Sequence, residues 1–334
     1  MSDENIVSTE APQHLLQVNH LKKYFQINKA FLKKDRKFLR AVDDISFTLD
    51  PGKTVGIVGE SGCGKTTMGR TVLRLYDVTE GEILFEGQDL AKLKGEKLRK
   101  LRPNFQMIFQ DPYSSLSPRL PVGEIIGEAV RVHKIVPKSE YKDYILDVMK
   151  KCGLQPHYFE RYPHEFSGGQ RQRICIAKAL ALKPKVVICD EPVSALDVSI
   201  QAQVINLFKD LQARDNLAYI FISHDLSVVE HISDEVGVMY LGSMVEYASK
   251  EDLFNNPMHP YTQALFSAVP VPDPDIKMKR IILEGDIPSP ANPPSGCKFH
   301  TRCRECMDVC KEVAPVYRDY GNGHFVACHK YPQE

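Results

Sequence analysis

A glycine-rich segment of the chain has the composition of a phosphate-binding loop. Residues 59–66 read Gly-Glu-Ser-Gly-Cys-Gly-Lys-Thr and follow the apolar run Thr54–Val58, which predicts a strand, a loop and a helix in succession. The glycines let backbone amides curl around phosphates, Lys65 meets the terminal phosphate charge, and the Thr66 hydroxyl coordinates Mg²⁺. The sequence therefore predicts a triphosphate site with contacts from Ser61, Gly62, Cys63, Gly64, Lys65, Thr66 and Thr67.

Acidic residues end a second apolar run. Val186–Cys189 predicts a strand and is followed by Asp190 and Glu191. Ligands collect at the carboxyl edge of a parallel sheet, so we expect Asp190 to hold Mg²⁺ and Glu191 to polarise the attacking water as a general base. A third run, Ala218–Ile222, is followed by His224. A lone histidine is more often structural, but this position favours contact with the γ-phosphate and orientation of Glu191.

A second helix start also has the features of an anion site. Ser167 suits the N-cap of a helix predicted over Ser167–Ala181, and two glycines follow it. One triphosphate needs only one phosphate loop, so this helix start is expected to address the nucleotide of another, similar domain. The predicted contacts are Ser167, Gly168, Gly169 and Gln170.

These motifs, in this order, resemble those of the ABC ATPases, whose signature reads Ser-Gly-Gly-Gln. The resemblance implies two cassettes that sandwich two ATP molecules head to tail, with Ser167 and Gly169 contacting the partner's γ-phosphate. It also implies that Gln110, after the strand Phe105–Phe109, is a catalytic residue that senses Mg²⁺ and the transporter. Residues 194–197 resemble the loop that crosses the dimer interface. Tyr24 is expected to stack on adenine, with Phe25 as the alternative.

The C-terminal part resembles that of bacterial dipeptide and oligopeptide importer ATPases. Residues 256–265, 285–290, 296–297, 302–303 and 326–329 carry this resemblance, which is nearest to the second ATPase subunit of the dipeptide importer. It implies a heterodimer with a second, homologous ATPase, two transmembrane permease subunits and an extracytoplasmic peptide-binding protein. Residues from about 111 to 165 are the expected permease-docking surface. Nickel, glutathione or sugar-fragment import remains an alternative, as does a soluble ABC regulator acting on ribosomes or DNA.

Five cysteines crowd the C-terminal region. Four of them, Cys297, Cys303, Cys310 and Cys328, resemble the iron–sulfur pattern of peptide-importer ATPases and suit a [4Fe–4S] cluster. Zinc is the main competitor, since four-cysteine sites also hold Zn²⁺, and a cluster of thiols without metal is the third possibility. Cys306 interrupts the pattern and could replace one ligand. The expected role is structural, because a short proline-rich segment lacks a strong apolar core.

Alternating strands and helices predict the elements that position these residues. The pattern indicates an α/β fold with a largely parallel, doubly wound sheet, and the resemblance implies a RecA-like core with antiparallel β and α-helical subdomains. Frequent prolines after Met258 predict a small, irregular, cysteine-rich C-terminal module. We expect a disordered tail over 1–13, an ATPase domain over 14–257 with its helical subdomain at about 111–165, and a C-terminal extension over 258–334.

Charge and hydropathy limit the partners and the location. Lys plus Arg and Asp plus Glu both number 43, so no overall basic field attracts nucleic acid. Neither a secretion signal nor an apolar run of ~18 residues is evident. The expected location is the cytoplasmic face of the bacterial inner membrane, reached through a membrane partner. The basic segment 29–40 either touches anionic lipid or is a solvated excursion between strands, which is the more common case.

Overall fold

The computed structural model describes residues 14–28, 36–268 and 280–332. The predicted tail over 1–13 lies outside these residues, as does the part of the basic segment over 29–35. The strands are β1 (Leu16–Gln26), β2 (Phe38–Leu49), β3 (Thr54–Val58), β4 (Glu80–Phe85), β5 (Gln88–Asp89), β6 (Phe105–Ile108), β7 (Val186–Asp190), β8 (Ala218–Ile222), β9 (Glu235–Tyr240), β10 (Ser243–Ser249), β11 (Arg318–Asp319) and β12 (Phe325–Val326). The helices are α1 (Lys65–Val72), α2 (Gly95–Leu101), α3 (Pro112–Ser115), α4 (Val122–His133), α5 (Tyr141–Lys151), α6 (Gly168–Leu180), α7 (Val198–Asp215), α8 (Leu226–Ile232), α9 (Lys250–Asn255), α10 (Pro260–Phe266) and α11 (Asp308–Glu312).

The larger sheet has eight strands in the order β11-β12-β10-β9-β3-β8-β7-β6. Strands β9, β3, β8, β7 and β6 are parallel, whereas β10 runs antiparallel to β9. The strands that end in the phosphate loop, the acidic pair and the histidine are therefore neighbours in one parallel sheet. This confirms the predicted α/β class and brings the carboxyl ends of β3, β7 and β8 to one edge.

A smaller antiparallel sheet, in the order β2-β1-β4-β5, packs against the larger one. Alternate residues of β7 show how the larger sheet is covered on both faces. Val186 and Ile188 join the core shared with α1 and the smaller sheet, whereas Val187 and Cys189 join the core under α6 and α7. Successive strand side chains point to opposite faces, so a continuous apolar run is what a sheet buried on both sides requires.

The helical part covers one face of the large sheet. On α5, Ile145, Val148 and Met149 are buried, which is the spacing of one helix face, and they pack in the core that also includes α4 and α6. This agrees with the helix predicted over Tyr141–Cys152. The subdomain limits at about 111 and 165, like the boundary between 257 and 258, stay predictions.

The C-terminal segment corrects one prediction, because it is not a separate cysteine-rich module. Strand β12 pairs with β10 through Glu246↔Val326 and Tyr247↔Phe325, so it extends the large sheet. Phe299 is 1% exposed and packs in the same apolar cluster as Tyr240 and Tyr261. The frequent prolines predict irregular structure and give no indication of these few large apolar residues. Such residues pack against the ATPase core and do not form a separate core.

Strand β2 begins inside the basic segment 29–40. Within the basic segment, Phe38–Arg40 begin β2 and are not part of a loop. No helix formed by the described residues is both long and apolar enough to cross a lipid bilayer.

Candidate nucleotide site

The phosphate loop connects β3 to α1 in a conformation that its glycines permit. Gly59, Gly62 and Gly64 have φ of 149°, 80° and 109°. A Cβ on Gly64 would lie 2.1 Å from the carbonyl oxygen of Ala41, so no larger residue fits there. The ammonium of Lys65 is buried and donates to the carbonyl oxygens of Gly59 at 2.7 Å and Glu60 at 3.0 Å. The loop thus holds its cation at the start of α1.

Thr66 and Asp190 meet at the bottom of this loop. The Thr66 hydroxyl donates to the Asp190 carboxylate at 2.8 Å, joining the first turn of α1 to the end of β7. Burial raises the pKa of Asp190, although the hydrogen bond from Thr66 and the charge of Arg70 oppose this shift. A carboxylate and a hydroxyl side by side are hard oxygen ligands of the kind that Mg²⁺ binds together with phosphate oxygens. These residues fit the predicted magnesium site.

Glu191 follows Asp190 and is contacted by both other predicted catalytic residues. Its carboxylate oxygen Oε2 accepts from the Gln110 amide at 2.7 Å and lies 3.2 Å from Nδ1 of His224. The Glu191 backbone has φ of 47°, and its N–H donates to the carbonyl oxygen of Ile222 at 2.9 Å. This positive φ turns the side chain out of the strand direction, and the bond to β8 holds it there.

A cleft of about 620 Å³ brings most of the predicted site residues together. Its lining includes Ser61, Gly62, Cys63, Gly64, Lys65, Thr66, Thr67, Gln110, Glu191 and His224. The rest of the cleft lining consists of residues outside the nucleotide-binding motifs: Leu39, Arg40, Ala41, Gly242 and Pro290. Pro290 belongs to the C-terminal segment, and its carbonyl oxygen accepts from the Arg40 N–H at 3.2 Å. This segment therefore forms part of the cleft itself.

Tyr24 does not line this cleft. It borders an adjacent cavity with Arg40, Asp43 and Lys298, and its hydroxyl donates to the Asp43 carboxylate. The guanidinium carbon of Arg40 lies 5.8 Å from the Tyr24 ring centroid, and Arg40 borders both spaces. Phe25, the alternative, instead packs edge-on against Tyr76 at 5.3 Å. Of these two aromatic residues, Tyr24 is the one beside a cavity that adjoins the phosphate loop.

The Ser167 motif lies apart from the cleft of its own chain. Ser167 caps α6, accepting from the Gln170 N–H at 3.4 Å, while Gln170 Oε1 accepts from the Ser167 N–H at 3.1 Å. Ser167 is exposed, and Gly169 is pressed against α7, where an added Cβ would lie 2.5 Å from Ile200 Cγ2. Asp197 caps α7 beside it, accepting from the Ile200 N–H at 3.0 Å. The helix start predicted to bind an anion faces outward.

The four-cysteine metal centre is not supported. Among the described residues, which include all five C-terminal cysteines, no group of three or more potential ligands is arranged to hold a metal ion. Burial raises the pKa of Cys297 to about 12 and that of Cys303 to about 11, with smaller contributions from the neighbouring thiols. The lack of such a group among these residues supports neither the [4Fe–4S] cluster nor the zinc alternative.

The sequence motifs miss one ion pair of the loop. Arg302 donates two hydrogen bonds to the Glu60 carboxylate, at 2.7 and 3.0 Å, across 242 positions of sequence. The sequence does contain one signal for this pair, namely Glu60, a carboxylate inside a loop that binds a polyanion. A nearby cation would reduce the repulsion between this carboxylate and the phosphates. The sequence does not indicate which cation, because the partner is distant along the chain.

Two family models match the chain. The model described as ABC transporter matches residues 42–194, and the model described as oligopeptide/dipeptide transporter, C-terminal region, matches residues 245–310. The second match begins within β10 and ends within α11, and it includes Tyr261 and Arg302, which contact Glu60 of the phosphate loop.

Named relatives match almost the whole chain. The oligopeptide transport ATP-binding protein AppF of Bacillus subtilis (strain 168) is 55% identical over 95% of this chain and 97% of its own length. A putative peptide import ATP-binding protein of Brucella ovis is 53% identical over 96% of this chain and 98% of its own. The oligopeptide transport ATP-binding protein OppF of Haemophilus influenzae is 51% identical over 95% and 97%.

Solved structures share the fold. The ATP-binding cassette MJ0796, solved as a dimer in a post-hydrolysis state with ADP and Pi, has a TM-score of 0.62 and 24% identity over 70% of this chain and 98% of that one. The cbiO1 protein of Clostridium perfringens, part of the ABC transporter complex cbiONQ, has a TM-score of 0.63 and 25% identity over 74% and 92%. These likenesses confirm the cassette fold predicted from the motifs.

Proposed function

The chain belongs to the ABC-type ATPases that serve as ATP-binding proteins of oligopeptide and dipeptide transporters, and from this premise we propose that it drives peptide import as one of two cassettes beneath a membrane permease. The observation that carries the proposal is the cleft in which Lys65, the Thr66–Asp190 pair and Glu191 meet. Each residue has a separate task there.

The phosphate loop binds the triphosphate of ATP. Backbone amides of residues 61–66 and the positive end of α1 attract the phosphates, and Lys65 adds a full charge. Lys65 already holds two carbonyl oxygens within the loop, so phosphate oxygens would exchange with these acceptors. Thr66, Asp190 and Gln110 would hold Mg²⁺, which neutralises charge on the phosphate oxygens.

Glu191 is the group we assign to water activation. Its carboxylate is held from two sides, by Gln110 and His224, so it is already oriented toward the cleft. Water polarised by Glu191 would lose a proton to this carboxylate as its oxygen bonds to the γ-phosphorus. The bond from that phosphorus to the bridging oxygen of the β-phosphate breaks in the same reaction, and ADP leaves with this oxygen. His224 is exposed on the cleft side, which suits contact with the γ-phosphate. The placement of Tyr24 beside the adjoining cavity supports its assignment to adenine.

A second cassette completes the site. The capped start of α6 at Ser167 is exposed and turned away from the chain's own cleft, as expected of a group that binds another subunit's nucleotide. We propose that a homologous ATPase supplies this partner and that permease subunits dock on residues 111–165. The chain would then lie at the cytoplasmic face of the inner membrane, with a peptide-binding protein on the other side. Its equal numbers of acidic and basic residues argue against a nucleic-acid partner.

A reconstituted transporter tests this function. The chain is co-expressed with the permease and ATPase subunits of its own system, and uptake into vesicles is measured for peptides of two to six residues, nickel, glutathione and sugar fragments. Peptide-stimulated ATP hydrolysis that is abolished by Lys65→Ala is the expected result. Transport of one of the other cargoes without peptide uptake would change the proposed cargo but not the proposed role in ATP-driven import. ATP hydrolysis that is unaffected by Lys65→Ala would refute the proposed nucleotide site.

A further inference from the structure

Two residues of the C-terminal segment, Tyr261 and Arg302, contact Glu60 of the phosphate loop. The Arg302 guanidinium forms its bidentate pair with Glu60 in a sheltered position, with the side chains 7% and 24% exposed. The N–H of Glu60 donates to the Tyr261 hydroxyl at 2.9 Å. The carbonyl oxygen of the same residue accepts from Lys65 at 3.0 Å. Glu60 therefore links Arg302 and Tyr261 directly to the lysine of the nucleotide site.

A second contact reaches the region of Tyr24. The Lys298 ammonium donates to the Asp43 carboxylate at 2.7 Å, the Ser243 hydroxyl at 2.6 Å and the Leu241 carbonyl oxygen at 3.1 Å. The other oxygen of Asp43 accepts from the Tyr24 hydroxyl. Lys298 thus fixes the carboxylate that fixes the aromatic residue proposed for adenine.

Both cations sit on one short piece of chain, residues 297–303, which we call the brace. Between them Phe299 is buried, with its ring centroid 5.2 Å from that of Tyr240 and 5.3 Å from that of Tyr261. A 3₁₀ turn over His300–Arg302 sets the spacing of the two side chains. Because Phe299 anchors the middle, Lys298 and Arg302 are presented as a rigid pair.

We propose that the brace positions both ends of the bound nucleotide, with Arg302 acting on the triphosphate through Glu60 and Lys298 acting on the base through Asp43 and Tyr24. The inference rests on the proposed ATP site. Arg302 also neutralises a carboxylate that would otherwise repel phosphate. Arg302 is a positioning residue, since it does not line the phosphate cleft. Lys298 borders the cavity beside Tyr24 and holds Asp43 there. The C-terminal segment would then set nucleotide affinity.

The test compares two ligands that share phosphates and differ in the base: Mg-ATP and magnesium tripolyphosphate. Binding to the full chain in its assembled transporter is measured by competition against a fluorescent ATP analogue. Arg302→Met is expected to weaken both ligands about tenfold, because a charge-assisted bidentate pair is lost. Lys298→Met is expected to weaken ATP by roughly three- to tenfold and to leave tripolyphosphate unchanged. Lys311→Met, which changes an exposed C-terminal lysine paired with Asp308, is the matched control.

A rescue distinguishes positioning from loss of folding. The double variant Glu60→Gln/Arg302→Met should recover part of the tripolyphosphate affinity, because the unpaired carboxylate is gone. If Arg302→Met does not fold, Arg302→Lys is used in its place. It should weaken the binding of both ligands by less than about tenfold, since the charge remains but the bidentate geometry is lost.

Two results would overturn the brace. One is binding of both ligands by Arg302→Met and Lys298→Met at the level of Lys311→Met. The other is an equal loss of tripolyphosphate binding in Lys298→Met and Arg302→Met, with no rescue by Glu60→Gln. That result would indicate that both variants disturb the structure of the C-terminal segment in general. The ATPase activity of the unmodified transporter, and its loss in Glu191→Gln, are measured in parallel, so failure of the brace is distinguishable from failure of the proposed function.

Discussion

Gln110 donates to the same carboxylate oxygen of Glu191 that faces His224, so one oxygen is held from two elements of the fold. Gln110 follows β6 and His224 follows β8, on either side of β7 in the sheet. The strand order therefore brings an amide and an imidazole to flank the proposed base. This arrangement leads to separate predictions for the base and for its two neighbours.

Replacing Glu191 by Gln should separate binding from hydrolysis. The amide keeps the size of the side chain but cannot take a proton, so hydrolysis should fall by ~10²–10⁴-fold while ATP still binds. Phosphate release and equilibrium ATP binding are measured on the assembled transporter. Glu230→Gln, an exposed position on α8, serves as the control for the same chemical change. Hydrolysis within about twofold of the unmodified protein would remove Glu191 as the base.

Gln110→Ala and His224→Ala should behave as one unit. Each removes a contact to Glu191 and should slow hydrolysis roughly 10- to 100-fold, with a smaller effect on binding. Because both contact the same carboxylate, the double variant should be less impaired than the product of the single effects. The measurement is a double-mutant cycle on kcat. Multiplicative effects would show that the two residues act independently of each other.

The two glycines of the signature should respond differently to a single methyl group. A Cβ on Gly169 would lie 2.5 Å from Ile200 Cγ2, whereas one on Gly168 would lie 3.6 Å from Leu196 Cδ2. Gly169→Ala should therefore lower the free energy of unfolding by about 1–3 kcal/mol through overpacking. Gly168→Ala is the matched control and should change it by less than about 0.5 kcal/mol. Urea unfolding measures both, and equal values would contradict the close approach of α6 and α7.

Acid should destabilise the protein partly through His259. Burial lowers the pKa of His259 to about 4, and its Nδ1 accepts from the Tyr261 N–H at 3.0 Å. In the unfolded chain a histidine has a pKa of ~6.5. The contribution of neutral His259 to the free energy of unfolding is therefore complete above pH ~6.5. It is lost as the pH falls toward the pKa of the folded protein, which lowers the free energy of unfolding by roughly 3 kcal/mol.

The His259→Asn variant checks this effect, because asparagine can still cap α10. Its free energy of unfolding is compared with that of the unmodified protein from pH 7 to pH 4 by urea titration. The difference should shrink as the pH falls, while His157→Asn, at an exposed position, should follow the unmodified protein throughout. Parallel curves for His259→Asn would show that this ring does not carry the acid dependence.

Local patterns predict most of the site because the chemistry lies at strand ends. The run Thr54–Val58, the Ser167 cap and the strand before Asp190 all appear where hydrophobic periodicity and capping residues place them. These features depend on neighbours within a few residues. The meeting of the phosphate loop with Asp190 and Glu191 follows from the order of the parallel strands, which the family resemblance supplies.

Contacts distant in sequence are what the motifs do not predict. The pairing of Arg302 with Glu60 spans 242 positions, and no periodicity connects them. The cysteine spacing suggested a metal, yet spacing alone does not fix the directions of the thiols, and their surroundings do not form a metal site. The family resemblance indicates Tyr24, but the bond from its hydroxyl to Asp43 depends on the pairing of β1 with β2.

The large sheet terminates on one side in β11, a strand of only two residues. Beyond it there is too little open backbone to template another strand, which protects the edge against chain-to-chain aggregation. Little backbone is therefore open on this flank for a strand of another subunit to pair with. A variant that shortens the chain before β12 would uncover β10 and should precipitate, even where its catalytic groups remain intact.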